Sequence, residues 1–237
     1  MTPLYVIRPQ PGCDATVRAA RAMGLAAHGF PLFAVRPLEW APPPAESFDA
    51  LLIGSANALR HGGAALDAYR GLPAYAVGPN TAEAARAAGL VVTATGEGGM
   101  QPLLKHIAPR HRRLLRLAGR ERTALDLPAG LALTEREVYA SEPLDPPAEL
   151  IDRLHGGGVV MLHSGEAARH FAALCDTHAI PRAGLALAAL GPQIAAEVGS
   201  GWAELASAPS AGDHALLALA GRMCQDLGRV HHMKNRP

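Results

Sequence analysis

The stretch AYAVGPNTAEAARAAGL, residues 74–90, decides the fold. Four mostly apolar residues run into Gly78-Pro79-Asn80-Thr81, and an alanine-rich segment with helical spacing follows until Gly89. LAALGPQIAAEVGSG, residues 187–201, repeats the arrangement. Glycine tolerates a backbone angle at a strand end that other residues avoid. Proline suits the first helical turn because it has no N–H to leave unpaired. A strand passing to a helix through Gly-Pro is a βα unit, and its recurrence predicts a parallel sheet covered on both faces.

The same alternation extends in both directions. LYVI (4–7) reads as a strand, Asp14 to Met23 as a helix ended by Gly24, and LAAHGF (25–30) as a second strand. Further strands are predicted at 50–54, 90–94, 114–118, 131–139, 158–164 and 185–190. Helices are predicted from about Ala56, over 81–88, and at 146–154, 166–177, 192–198 and 213–227.

The two halves align with each other. Gly24, Leu25, Pro37 and Leu38 match Gly130, Leu131, Pro143 and Leu144, each at an offset of 106. LLIGSANALR then matches VMLHSGEAAR, setting Ser55 opposite Ser164, and Gly78-Pro79 matches Gly191-Pro192. The offset grows along the chain, as loop insertions make it, and an internal duplication is the reading.

Composition narrows the function. The 237 residues suit one large domain or two of about 100 residues. Hydrophobic residues make up 49% but aromatics only 4%, so Leu, Val, Ile and Ala must build the core. Lys and Arg number 22 against 21 Asp and Glu, which leaves no global field to attract nucleic acid or a membrane surface. Cys13, Cys175 and Cys224 are odd in number and far apart, which favours a reducing compartment. The N-terminus enters a strand at once, without the layout of a signal peptide, and no apolar run is long enough to span a bilayer. A cytoplasmic location is the expectation.

In an open α/β sheet, ligands bind beyond the carboxyl ends of the strands, where helix N-termini present free N–H groups. GSAN (54–57), GPNT (78–81), AGRER (118–122), HSGE (163–166) and GPQI (191–194) are therefore expected on ligand-facing edges. Ser, Asn and Thr in these turns serve either as helix caps or as ligand contacts. Arg8, at the end of the first strand, is a candidate ligand-facing guanidinium. Neither Ser55 nor Ser164 lies in G-x-S-x-G, and neither a P-loop nor a well-placed dinucleotide fingerprint is present. Glu166 and His170, four apart, have metal-ligand spacing but read better as a solvated pair, and no metal is expected.

VIRP (6–9), FPLFAVRPL (30–38), LLIGSANAL (51–59), YAVGPNTAEAARAAGL (75–90), RLAGRERTAL (116–125), REVYASEPL (136–144) and LAALGPQIAAEVGSG (187–201) follow in the order of the uroporphyrinogen-III synthase family, which the chain resembles over nearly its whole length. The resemblance implies two flavodoxin-like α/β domains joined by a two-stranded linker. Domain one would comprise 1–32 plus 146–237, domain two 39–137, and the linkers 33–38 and 138–145. It also implies a cofactor-independent cyclisation of the linear tetrapyrrole hydroxymethylbilane to uroporphyrinogen III, with loss of water and inversion of ring D. An upstream bilane-forming deaminase would hand over the substrate. A motif tyrosine of the family falls on Tyr139, in a linker strand facing the ligand, as a possible general acid. Ser55, Thr81 and Ser164 fall on substrate-holding positions, and Arg8, Asn57, Asn80, Gly119, Arg120, Arg122 and Gln193 complete the expected binding set. Where the family often has Thr-Thr after the second Gly-Pro, this chain has Gln193-Ile194, and Ile194 cannot donate a hydrogen bond. The alternative function is a non-catalytic regulatory derivative of the fold that binds a tetrapyrrole or small anion.

Overall fold

The computed structural model describes residues 1–210 and 212–234. The chain runs β1 (Pro3–Val6), α1 (Gly12–Ala22), β2 (Ala26–Gly29), β3 (Phe33–Pro37), β4 (Ala50–Ile53), α2 (Ala56–His61), β5 (Pro73–Val77), α3 (Pro79–Ala87), β6 (Val91–Gly96) and α4 (Met100–Leu103). It continues through β7 (Arg113–Gly119), β8 (Ala132–Pro143), α5 (Ala148–His155), β9 (Gly158–Leu162), α6 (Gly165–Thr177), β10 (Leu185–Ala189), α7 (Pro192–Ala195), β11 (Glu204–Ser207) and α8 (Asp213–Lys234).

The chain divides into two compact units. Unit 1 comprises Met1–Ala34 with Pro143–Pro237, and unit 2 comprises Val35–Glu142. Unit 1 is built on a five-stranded sheet of order β11-β10-β9-β1-β2, parallel at every pairing. Counting only this unit's strands, that is the doubly wound order 2-1-3-4-5. The second sheet has the order β3-β8-β7-β4-β5-β6. From β8 to β6 it repeats the first sheet's arrangement, with β7 in the place of β1, β8 of β2, and β4, β5 and β6 of β9, β10 and β11.

Strand alternation explains why both faces of the first sheet are covered. Leu4 and Val6 face one way, with Val159, Met161, Ala186 and Ala188, and pack on Val17 and Ala20 of α1 and Leu216, Ala220 and Met223 of α8. Tyr5, Val160, Leu162, Leu185 and Leu187 face the other way, onto Leu150 and Leu154 of α5 and Phe171 and Leu174 of α6. Runs such as GVVML and LALAA are consequently buried at every position, as parallel strands covered on both faces require. In unit 2, Leu51, Ile53, Leu115 and Leu117 pack against Leu59 of α2 and Ala85 of α3. Ala50, Leu52, Tyr75 and Leu114 pack under Leu103 and Leu104.

Three local expectations change. The segment 204–207 is a strand, β11, because β10 supplies its ladder from Ala186↔Glu204 to Ala189↔Ser207; its residues ELAS carry no apolar run. The helix expected over 192–198 is four residues of α-helix followed by a 3-10 turn over Ala196–Val198. The two Gly-Pro turns also differ in backbone. Gly78 caps α3 with φ 78 and ψ 157, a conformation nearly confined to glycine, whereas Gly191 is extended at φ −166.

Candidate functional site

Apart from Tyr139, which lies within β8, the sequence-selected residues stand at or just beyond the carboxyl ends of strands, and each unit carries its own set. In unit 2, β4 ends at Ile53 and Ser55 caps α2, its Oγ accepting the Asn57 N–H at 3.2 Å. The Asn57 side-chain oxygen accepts from Arg60. After β5, Gly78 caps α3 and Asn80 stands exposed in its first turn. Thr81, one residue on, turns inward and is only 5% exposed, because that position of the first turn faces the sheet.

The end of β7 gathers the most chemistry. Gly54, Ser55, Met100, Arg116, Leu117, Ala118, Gly119, Glu121, Arg122 and Tyr139 line a cavity of about 150 Å3 within unit 2. Four of these, Ser55, Gly119, Arg122 and Tyr139, were selected from sequence. Their meeting depends on the β7–β8 register. Arg116 lies opposite Glu135 and Ala118 opposite Glu137, but the register then slips, so Gly119 lies opposite Tyr139. An unslipped count would put Val138 there; Val138 is instead fully buried in the core. The Tyr139 ring covers Gly119 so closely that a Cβ at 119 would lie 2.7 Å from two of its carbons. The backbone seals the pair, with the Arg120 N–H donating to the Tyr139 carbonyl at 2.9 Å. His61, at the end of α2, has its ring centroid 6.4 Å from that of Tyr139.

A chain of alternating charges runs beside the tyrosine. Arg116 donates to Glu135 at 2.7 Å and to the Thr123 carbonyl at 3.0 Å. Arg122 donates to both Glu135 (3.2 Å) and Glu137 (2.7 Å). Arg120 reaches Glu137 only at 3.8 Å and is half exposed. Hydrogen bonding to Glu137, aided by Glu135 and opposed by partial burial, holds the Arg122 guanidinium above its usual pKa. Arg122 is thus internally paired, and Arg120 is the more available cation. Arg116 is almost wholly buried, and its Nε has no acceptor among the described residues. The sequence reading did not select Arg116, Glu135 or Glu137. Period-two spacing of Glu135, Glu137 and Tyr139 along β8 was the available signal.

In unit 1, Arg8 follows β1. It pairs with Asp213 at 2.6 Å and lies 3.4 Å from the Thr16 hydroxyl. Asp213 opens α8 and also lies 3.7 Å from Nε2 of His163. His163 follows β9, and its two buried ring nitrogens make no well-aligned hydrogen bond among the described residues. Desolvation, with a smaller contribution from the Arg8 charge, pushes its pKa down to about 4 against the opposing pull of Asp213 and, more weakly, of the Met161 backbone. Ser164 caps α6 by accepting the Ala167 N–H at 3.2 Å. Gln193 stands exposed in α7, while Ile194 packs against the core beside α6, which gives this apolar residue a structural reason. The His170 ring meets Phe33 edge-on at 5.0 Å, and burial lowers its pKa. No group of three or more metal-binding side chains occurs among the described residues. No helix among them is long and apolar enough to cross a membrane.

Comparison with known proteins agrees with this architecture. Among solved structures, a mutant uroporphyrinogen III synthase from the extremely thermophilic bacterium Thermus thermophilus superposes with a TM-score of 0.57 at 18% identity, covering 95% of this chain and 100% of its own. The uroporphyrinogen-III synthetase of Helicobacter pylori gives a TM-score of 0.62 at 15% identity, covering 94% of this chain and 100% of its own. At such identities the likeness concerns the fold. No curated protein matches by sequence. The family model described as uroporphyrinogen-III synthase HemD matches residues 14–218, and the chain therefore belongs to the uroporphyrinogen-III synthase family.

Proposed function

We propose that the protein is a cofactor-independent lyase that closes hydroxymethylbilane to uroporphyrinogen III, inverting ring D and releasing water. The observation that carries this reading is the family match over residues 14–218. The bilane comes from an upstream deaminase, and the three unpaired cysteines suit a reducing compartment such as the cytoplasm. The shared strand order of the two sheets is what an internal duplication would leave.

The substrate is rich in carboxylates and can close unaided to the wrong isomer. The enzyme's main task is then to hold a conformation, with modest acid assistance. Arg120, Ser55, Asn57, Asn80 and Thr81 are the substrate-holding candidates of unit 2, and Arg8, Ser164 and Gln193 those of unit 1, the less exposed members through nearby backbone N–H groups. Tyr139 is the general acid. The family implies loss of the hydroxymethyl oxygen, and a proton from the phenol lets that oxygen leave as water. The terminal ring then attacks to give a spiro intermediate, which fragments and recloses inverted; a proton released on the way to product restores the phenol. Supporting this role, Tyr139 lines the cavity, and its hydroxyl has no hydrogen-bond partner among the described residues.

The test is Tyr139→Phe assayed with freshly made hydroxymethylbilane, resolving isomers I and III. Turnover should fall roughly 10- to 100-fold, with the product still mainly isomer III, because shape and not the proton controls ring inversion. Wild-type turnover would reduce Tyr139 to packing. A wild-type protein that yields only isomer I would overturn the synthase reading itself.

A further inference from the structure

Arg122 is part of the cavity lining, yet Nε and one terminal nitrogen of its guanidinium are engaged by the protein. Its Nε donates to Glu135, and one terminal nitrogen reaches Glu137 at 2.7 Å, the Arg120 carbonyl at 2.9 Å and the Gly119 carbonyl at 3.4 Å. Two of those acceptors are backbone groups of the turn that leaves β7. The other two stand on β8, four and two residues before Tyr139. One side chain therefore ties the turn carrying the tyrosine's seat to the strand carrying the tyrosine. It does so where the β7–β8 register slips, and such irregularities re-aim side chains next to sites. At the slip the backbone adds a tie between these two segments, the Arg120 N–H bond to the Tyr139 carbonyl, and Gly119 offers no side chain to hold the ring.

We infer that Arg122, anchored by Glu135 and Glu137, is a positioning residue for Tyr139 and not a substrate-binding cation. The inference rests on the proposed role of Tyr139 for its kinetic consequence, but not for its structural one. Planar, forked donation to carboxylates and carbonyls together is a task for arginine; lysine, a compact point charge, cannot reproduce it. Glu135 is itself gripped from the other side by the buried Arg116, so the anchor is rigid on the strand side.

The experiment combines Arg122→Gln, Arg122→Lys and Glu137→Gln with Tyr139→Phe, reading kcat, KM and the ring resonance of Tyr139 in tyrosine-labelled protein. With four tyrosines in the chain, that resonance is identified by its loss in Tyr139→Phe. Arg122→Gln should lower kcat by roughly tenfold with KM nearly unchanged, shift the Tyr139 resonance, and gain no rescue from lysine. In the Tyr139→Phe background it should lower kcat no further, since residues acting as one unit are not additive. Glu137→Gln, which keeps the size of the anchor, should shift the same resonance in the same direction, and it serves if Arg122→Gln folds poorly. A raised KM with an unmoved resonance, or losses that multiply in the double variant, would make Arg122 a direct substrate contact and overturn the inference. If Tyr139→Phe retains full turnover, the acid role fails; the resonance alone then decides whether Arg122 positions the ring.

Discussion

Tyr139 packs directly against Gly119, its Cε2 and Cζ each 2.7 Å from where a Cβ at position 119 would stand. Alanine there has to push the ring out of its seat, because Gly119 ends a strand whose neighbouring residues are buried. Gly119→Ala should therefore lower turnover by roughly tenfold, towards the Tyr139→Phe level. Overpacking should also cost about 1–3 kcal/mol of stability. Kinetics and a denaturant midpoint on the same preparation check both. Unchanged turnover would show that the ring's seat has no bearing on its chemistry.

The capping serines allow structure and binding to be separated. Ser55 and Ser164 each accept an N–H of the helix they begin, so alanine at either should cost about 1 kcal/mol while aspartate should keep the cap. Ser55 also lines the cavity that holds Glu121 and Tyr139. Ser55→Asp should thus be as stable as wild type yet raise KM for the carboxylate-rich bilane several-fold, by placing a second negative charge there. An unaltered KM in a stable Ser55→Asp protein would leave Ser55 as a cap and nothing more.

The two Gly-Pro turns should respond differently to the same substitution. Gly78 has φ 78 with open space where a Cβ would sit, so the obstacle is torsional and not steric. Gly78→Ala should cost about 1–3 kcal/mol. Gly191 is extended, also with open space, and Gly191→Ala should stay within about 0.5 kcal/mol of wild type. Equal losses in chemical unfolding would contradict the backbone difference.

Acid should destabilise the protein through its histidines. Burial, as the largest cause, lowers the pKa of His28, His61, His111, His163 and His170 below the ordinary 6.5, for His163 to about 4. His111 shows the chemistry plainly. Arg110 Nε donates to its Nε2, which must therefore be the lone-pair nitrogen, so Nδ1 carries the proton towards the Tyr75 oxygen. A second proton would set N–H against N–H. Since the folded state refuses protons that the unfolded chain accepts, stability is full above pH 6.5 and falls as pH drops towards 4. Urea midpoints at pH 7.5, 6 and 5 should decline in that order, and the decline should shrink in His163→Asn. Equal midpoints across that range would contradict the buried neutral histidines.

Local pattern alone carried much of this molecule. The βα units around Gly78-Pro79 and Gly191-Pro192, and the apolar strands LYVI, ALLIG, LLRLA, GVVML and LALAA, are marked by side-chain periodicity and turn chemistry, both properties of neighbouring residues. So were the serines at strand ends, because a residue following a buried strand at a helix start can only lie on the carboxyl edge. What depended on partners distant in sequence was settled by tertiary structure. β11 exists because β10 offers a ladder to a segment with no apolar signal of its own. Thr81 and Ile194 turn inward because the sheet lies on that side of their helices. Arg122, on sequence a free cation, finds Glu135 and Glu137 only when β8 lies beside β7. The meeting of Tyr139 with Gly119 needs a one-residue slip that leaves Val138 buried in the core, and register is set by packing between strands, not by the order of residues within either one.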